Sequence, residues 1–380
     1  MTGETAAVTG PLAGLRIVEL GGIGPGPFCG MLLADLGADV IRIDRPELVG
    51  TSALLPVLHR NRRSVALDLK DPAGVASALR IIDTADGVIE GFRPGVTERL
   101  GLGPDDCLGR NPRLVYGRMT GWGQDGPAAQ EPGHDINYIA VAGALGAFGP
   151  ANEVPAAPLN LVGDMGGGGL LLAFGITAAI LRARISGQGQ VVDAAMVDGT
   201  AIQLSLVHGL LAQGRWTDER GTNLFDGAAP YYRTYRCSDG RFVAVGALEP
   251  QFYSAVLRVL GLAGDPVFAE QDDRTRWPEM TVRLVELFAT RTRDDWAAEF
   301  DGRGACVTPV LTLTEAATHP HNAARGTYRD LGDGFVQPGP APRFLGTPAG
   351  EPRPAPAVGE HTGEVFAELR LELATEGAAK

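Results

Sequence analysis

Leu15-Arg16-Ile17-Val18-Glu19-Leu20 is a short apolar run, followed by the breaker-rich loop Gly21-Gly22-Ile23-Gly24-Pro25-Gly26-Pro27. Helical spacing over Phe28–Leu36 and a second apolar run at Asp39–Ile43, closing on Asp44-Arg45-Pro46, complete a strand, loop, helix, strand unit. A βαβ unit commits the chain to parallel pairing, since a crossover is what brings the next strand back in the same direction. Asp44 stands about where a ribose-binding acid falls in a dinucleotide fingerprint. The glycines at 24, 26 and 30 are wrongly spaced for it, however, and two prolines stiffen the turn that would cradle a pyrophosphate. A nicotinamide-dependent oxidoreductase is therefore a weak rival reading.

Outward from this unit, strands are expected at Ser64–Leu69, Gly87–Glu90, Leu114–Met119 and Gln190–Ala195. Helices are expected at Pro72–Ala85, Thr97–Leu100 and Met196–Ala212. Alternation with short links indicates an α/β fold built on a doubly wound parallel sheet. Ligands of such sheets lie beyond the carboxyl ends of the strands, where Arg45, Lys70, Arg93 and Arg99 all fall. Four basic groups on one rim suit a phosphorylated nucleotide, although each taken singly reads equally as a solvated surface charge. Residues 213–230 are polar and glycine-rich, a crossing into a second unit. That unit opens on a hairpin, Tyr231–Arg236 and Arg241–Val245 around Ser238-Asp239-Gly240. It continues with helices at Phe252–Leu260, Met280–Thr290 and Arg293–Phe300 and a strand at Val307–Leu313; a last helix is expected near Glu364–Leu373.

At 380 residues two domains are the natural expectation. The 33 basic against 45 acidic groups argue against nucleic acid as the main partner. Four cysteines, at 29, 107, 237 and 306, show no paired spacing, so neither a disulfide framework nor a metal site is expected. His319-Pro320-His321 reads as a loop. The first residues lack a basic-then-apolar signal pattern, and the apolar run Leu170–Leu181 is too short to span a bilayer. A cytoplasmic protein without a membrane partner is the expectation.

The chemistry-bearing stretch is 133–169, from Gly133-His134-Asp135-Ile136-Asn137-Tyr138 to Gly163-Asp164-Met165-Gly166-Gly167-Gly168-Gly169. Helical patterns at Ile136–Phe148 and Leu170–Leu181 place His134 and Asp164 just before helix starts, where free N–H groups and the dipole favour developing negative charge. Asp135 and Asp164 are also ordinary capping residues. The glycines after Asp164 leave room for something to approach the backbone closely.

Several ordered segments carry a family resemblance over residues of about 10 to about 345. They are Gly-Leu-Arg-Ile-Val-Glu-Leu at 14–20, Arg-Ile-Asp-Arg-Pro at 42–46 and Arg-Pro-Gly-Val-Thr-Glu-Arg-Leu-Gly at 93–101. Thr-Gly-Trp-Gly-Gln at 120–124, Gly-His-Asp-Ile-Asn-Tyr at 133–138, Asn-Leu-Val-Gly-Asp at 160–164 and Gly-Gln-Val-Val-Asp-Ala-Ala-Met at 189–196 continue it. The chain resembles the α-methylacyl-CoA racemases within the family III CoA transferases. The resemblance implies a Rossmann-like large domain at 1–195 joined by 340–380, a linker helix at 196–225, a small α+β domain at 226–315 and a return linker at 316–339. It also implies an interlocked homodimer. His134 and Asp164 would be the catalytic bases, and Glu249 would orient His134. Arg45, Leu67, Asp68, Leu69, Lys70, Gly91, Phe92, Arg93 and Arg99 would line the CoA site. Gly133, Asp135, Ile136, Asn137 and Tyr138 would contact the acyl-CoA. No separate cofactor is implied, CoA being part of the substrate.

Inverting an α-carbon beside a thioester needs one base on each face, one of them protonated. Burial beside Leu170 and Leu171 is expected to raise Asp164 toward the imidazole range, and N–H groups at the Met165 helix start to steady the enolate oxygen. Met196, Phe225 and Tyr231 are expected to shape the acyl pocket. The rival within the fold is CoA transfer, with Asp164 attacking the thioester. It leaves His134 without a role, and that branch tends to carry a glycine-rich loop where this chain has Gly246-Ala247-Leu248-Glu249. A non-catalytic acyl-CoA-binding protein would not need two ionisable groups.

Overall fold

Six strands, β1 (Arg16–Leu20), β2 (Asp39–Asp44), β3 (Arg63–Ala66), β4 (Gly87–Glu90), β5 (Val115–Thr120) and β6 (Gln190–Ala195), form one sheet ordered β3-β2-β1-β4-β5-β6. Every pairing is parallel, as the opening βαβ unit requires. The structure is a computed structural model that describes residues 9–52, 56–331 and 335–370. Alternate strand residues serve opposite faces. Ile17, Val40, Ile89 and Val115 pack with Leu33, Leu172, Ile176 and Ile180 on one side. Val18, Ile41, Val65, Val88 and Tyr116 pack with Ile81, Ile82 and Phe366 on the other. With both faces covered, these strands read as continuous apolar runs.

The sheet belongs to a first unit comprising Met1–Ala142, Pro158–Gln203 and Arg325–Lys380. The second unit, Gly143–Ala157 and Leu204–Ala324, holds an antiparallel sheet of β7 (Tyr232–Arg236), β8 (Phe242–Gly246) and β9 (Val307–Pro309). Its core gathers Tyr235, Val243, Met280, Phe288, Trp296 and Phe300.

Several helix limits differ from expectation. The first helix runs Pro25–Asp35, because proline is tolerated in a first turn whose N–H groups have no intrahelical partner. A helix at Pro104–Arg110 was not anticipated. The one expected at Ile136–Phe148 is Asp135–Val141, stopping short of Gly143, whose φ is +89°. Met196–Ala212 is two helices, Met196–Gln203 and Ser205–Ala212. His319-Pro320-His321 runs into the helix Pro320–Arg325 rather than staying a loop. The last helix is Thr362–Glu368, and residues 371–373 lie outside the described residues.

The largest correction concerns Asp164. Leu161–Leu170 is wound as a π-helix that runs straight into the α-helix Leu171–Ser186, so Asp164 sits inside a helix rather than before one. The combined 26-residue helix is long and apolar enough to cross a bilayer by length and composition, which the run Leu170–Leu181 alone is not. It nevertheless contributes Leu172, Ile176 and Ile180 to the sheet's core, the setting of a core helix. What approaches its glycines is protein: a Cβ on Gly199 would lie 1.9 Å from the Gly167 carbonyl oxygen. The helix Met196–Gln203 thus rests backbone to backbone on the Asp164 segment.

Candidate active site

β1 and β4 are neighbours in the sheet but not in sequence, so the chain leaves their carboxyl ends in diverging directions and opens a crevice. A cavity of about 670 Å3 lies there, walled by Gly21–Pro27 after β1, Gly91–Pro94 after β4 and Gly121 and Trp122 after β5. His134, Asn137, Tyr138, Asp164 and Met196 are among the other residues that line it. A larger cavity, about 830 Å3, lies in the second unit among Thr217, Arg233, Arg274 and Trp277 and holds none of the residues that sequence singled out.

His134 precedes the helix Asp135–Val141 in extended conformation, with its N–H donating to Asn137 Oδ1 at 3.0 Å and its ring exposed to the cavity. Asp164 is half-buried in the first turn of the π-helical segment. Asn160 Nδ2 donates to Asp164 Oδ2 at 3.1 Å, and the Asp164 N–H donates to Asp135 Oδ2 at 2.7 Å. Burial holds the Asp164 carboxyl above its ordinary range; the Asp135 carboxylate adds to this, while Asn160 and His134 oppose it. The direction and its main cause, burial, are as expected, but Leu170 does not supply that burial, being 55% exposed. Tyr138 is buried edge-on against Trp122, ring centroids 4.9 Å apart. Its hydroxyl is pushed up by burial and by Asp164, with Arg93 opposing.

Of the residues predicted from sequence, the cavity gathers His134, Asp164, Gly91, Phe92, Arg93, Gly133, Asn137 and Tyr138. Arg45, Leu67, Asp68, Leu69, Lys70, Arg99, Asp135 and Ile136 are not on its wall. Arg45, Lys70 and Arg99 are exposed, Leu67 is in the core, and Asp68 accepts the Lys70 N–H at 2.8 Å, a local turn. The N–H groups of Asp164 and Met165 are already engaged, the second with Asn160 O at 3.3 Å, so they are not free donors for a substrate oxygen. Glu249 is exposed just ahead of the helix Pro250–Val259 in the second unit. Met196 lines the cavity, whereas Tyr231 is a core residue of the second unit whose hydroxyl donates to Asp272 at 2.8 Å. Phe225 lies in the second unit on a smaller cavity beside Tyr232. Asn160 and Trp122 were missed as site residues, although both stand inside the segments that carry the family resemblance.

The family model for CoA-transferase family III matches residues 12–362. The α-methylacyl-CoA racemases of Mus musculus and Homo sapiens are each 46% identical, over 94% of this chain and 93% of theirs. The succinyl-CoA–D-citramalate CoA-transferase of Chloroflexus aurantiacus is 32% identical over 94% of each chain. A crystal structure of a CAIB/BAIF family protein from Brucella suis superposes with a TM-score of 0.82 at 27% identity, covering 95% of this chain and all of that one. The chain belongs to the CoA-transferase family III.

Proposed function

We propose that the protein is an α-methylacyl-CoA racemase, interconverting the (2R) and (2S) forms of 2-methylacyl-CoA thioesters by 1,1-proton transfer through an enolate. The observation that carries this reading is the pairing of His134 with Asp164 on one cavity, in a chain 46% identical to two proteins named as such racemases. One base removes the α-proton and the other, protonated, delivers one to the opposite face. A carboxyl raised by burial is better matched to imidazole, which lowers the cost of exchanging their roles. The positive end of the helix Asp135–Val141 would steady the enolate oxygen. Glu249 would orient the His134 ring.

A homodimer accompanies this reading. Phe174, Leu181 and Ile185 stand out along the helix Leu171–Ser186 at 71, 63 and 72% exposure, an apolar face that a second copy would cover. Sedimentation of Phe174→Asp should show a shift to monomer, and an unchanged dimer would remove that face from the interface.

CoA transfer through Asp164 is the alternative, favoured by the transferase named among the relatives. Incubation in D2O with one pure enantiomer of a 2-methylacyl-CoA separates the two. A racemase exchanges the α-proton and loses optical purity with no acceptor acid present. Absence of α-deuteration over several branched acyl-CoAs, with CoA passing to an added carboxylate through a hydroxylamine-trappable adduct on Asp164, would establish the transferase instead.

A further inference from the structure

Asp135 directly follows His134, yet its carboxylate turns away from the cavity and is 6% exposed. Oδ2 accepts the backbone N–H of Asp164 at 2.7 Å, while Oδ1 is buried without a hydrogen-bond partner among the described residues. Gly163 makes room for this, since a Cβ there would stand 2.6 Å from Asp135 Oδ2. The residue after one proposed base is thus clamped to the backbone of the other, across 29 positions of sequence.

We infer that Asp135 is a positioning residue that fixes the His134 segment to the Asp164 segment through this hydrogen bond and keeps a second negative charge beside the Asp164 carboxylate. The inference rests on the racemase reading for its consequence in turnover. The charge has a definite effect: a neighbouring carboxylate disfavours ionisation of Asp164. Burial acts in the same direction, and Asn160 and His134 act against both. Tyr138, from the same helix as Asp135, also interacts with Asp164, and Arg93 with Tyr138. On the helix Met196–Gln203, Asp198 interacts with Asp193.

Two variants separate the clamp from the charge. Asp135→Asn can still accept the Asp164 N–H through its amide oxygen but carries no charge. Asp135→Ala removes both. If the inference holds, Asp135→Asn keeps a near-parent KM, and the acid limb of its kcat/KM profile moves to lower pH, because Asp164 ionises more readily. Asp135→Ala should lose kcat by about tenfold to a hundredfold as the two bases lose alignment. The Cγ resonance of Asp164 in the 13C-aspartate-labelled protein, assigned by its absence in Asp164→Asn, should titrate at lower pH in Asp135→Asn than in the parent. An Asp164 titration unmoved by Asp135→Asn, together with parent-like kcat in Asp135→Ala, would overturn the inference. The resonance needs no turnover. A moved titration in a protein that shows no α-proton exchange would leave the charge of Asp135 acting on Asp164 and remove the racemase reading.

Discussion

Arg62 Nε lies 2.8 Å from Glu19 Oε2 with both side chains at 0% exposure, an ion pair sealed inside the first unit. The approach is close but not aligned as a hydrogen bond, and Arg42, Asp44 and a His59 held neutral by burial, its pKa pulled down to about 3, crowd the same core. Breaking such a pair strands the surviving charge, which typically costs about 3–5 kcal/mol, whereas exchanging both partners for neutral groups costs far less. Arg62→Ala should therefore destabilise by about that much in urea unfolding. The double variant Glu19→Gln with Arg62→Met should recover most of the loss. Additive losses would show that the pair is not coupled.

Tyr138 is held where it is by a missing side chain. A Cβ on Gly121 would fall 2.1 Å from the Tyr138 ring. Gly121→Ala should displace the ring into the cavity, costing about 1–3 kcal/mol of stability by overpacking. Turnover should fall by more than stability explains, with the far-UV spectrum unchanged. Parent-like kinetics would show that the ring does not set the shape of the substrate site.

Among the four strand-end cations, Arg93 alone reaches the cavity wall. Arg93→Ala should weaken CoA binding by roughly tenfold or more, the scale of a charge-assisted hydrogen bond, with a loss that shrinks as salt rises. Arg45→Ala and Arg99→Ala should have smaller effects by calorimetry. Equal losses at all three positions would mean that the nucleotide lies along the whole rim.

The raised Asp164 carboxyl has a thermodynamic signature. A folded pKa above the ordinary value of 3.8 means that folding favours the protonated form. The associated stabilisation is complete below the unfolded value and is lost as pH rises through the folded one. Asp164→Asn carries no ionisation, so its Tm relative to the parent should rise over the window in which pH climbs above the ordinary value of 3.8. A constant difference across that window would show that the carboxyl is not held up in the folded state.

The parallel sheet was legible because a strand buried on both faces announces itself locally, as Ile17 and Val18 do by serving opposite cores. His134 was legible for a similar reason, since a helix start is marked by residues on either side of it. The Asp164 segment was misread because a run of glycines looks like a loop by propensity, and only its contacts with Gly199 and Pro25 explain why it is wound. Asp135 read as a cap or a ligand contact. Its partner lies 29 positions away, a pairing that no local pattern contains. Of the rim of cations only Arg93 lines the cavity, because being past a strand end fixes which edge of the sheet a residue occupies, not whether its side chain turns inward.

The π-wound turn at Leu161–Leu170 gives the site a dependence on chain length as well as on side chains. Its bonds reach one residue further than those of an α-helix, so deleting any single glycine between Gly166 and Gly169 invites the segment to rewind as α. Each residue of an α-helix turns the chain by about 100°. A one-residue deletion would therefore swing Asp164 round the axis, away from Asn160 and Asp135, while every side chain that lines the cavity remained encoded. Over this short span an insertion or deletion is the damaging change, and the site behaves like a reading frame.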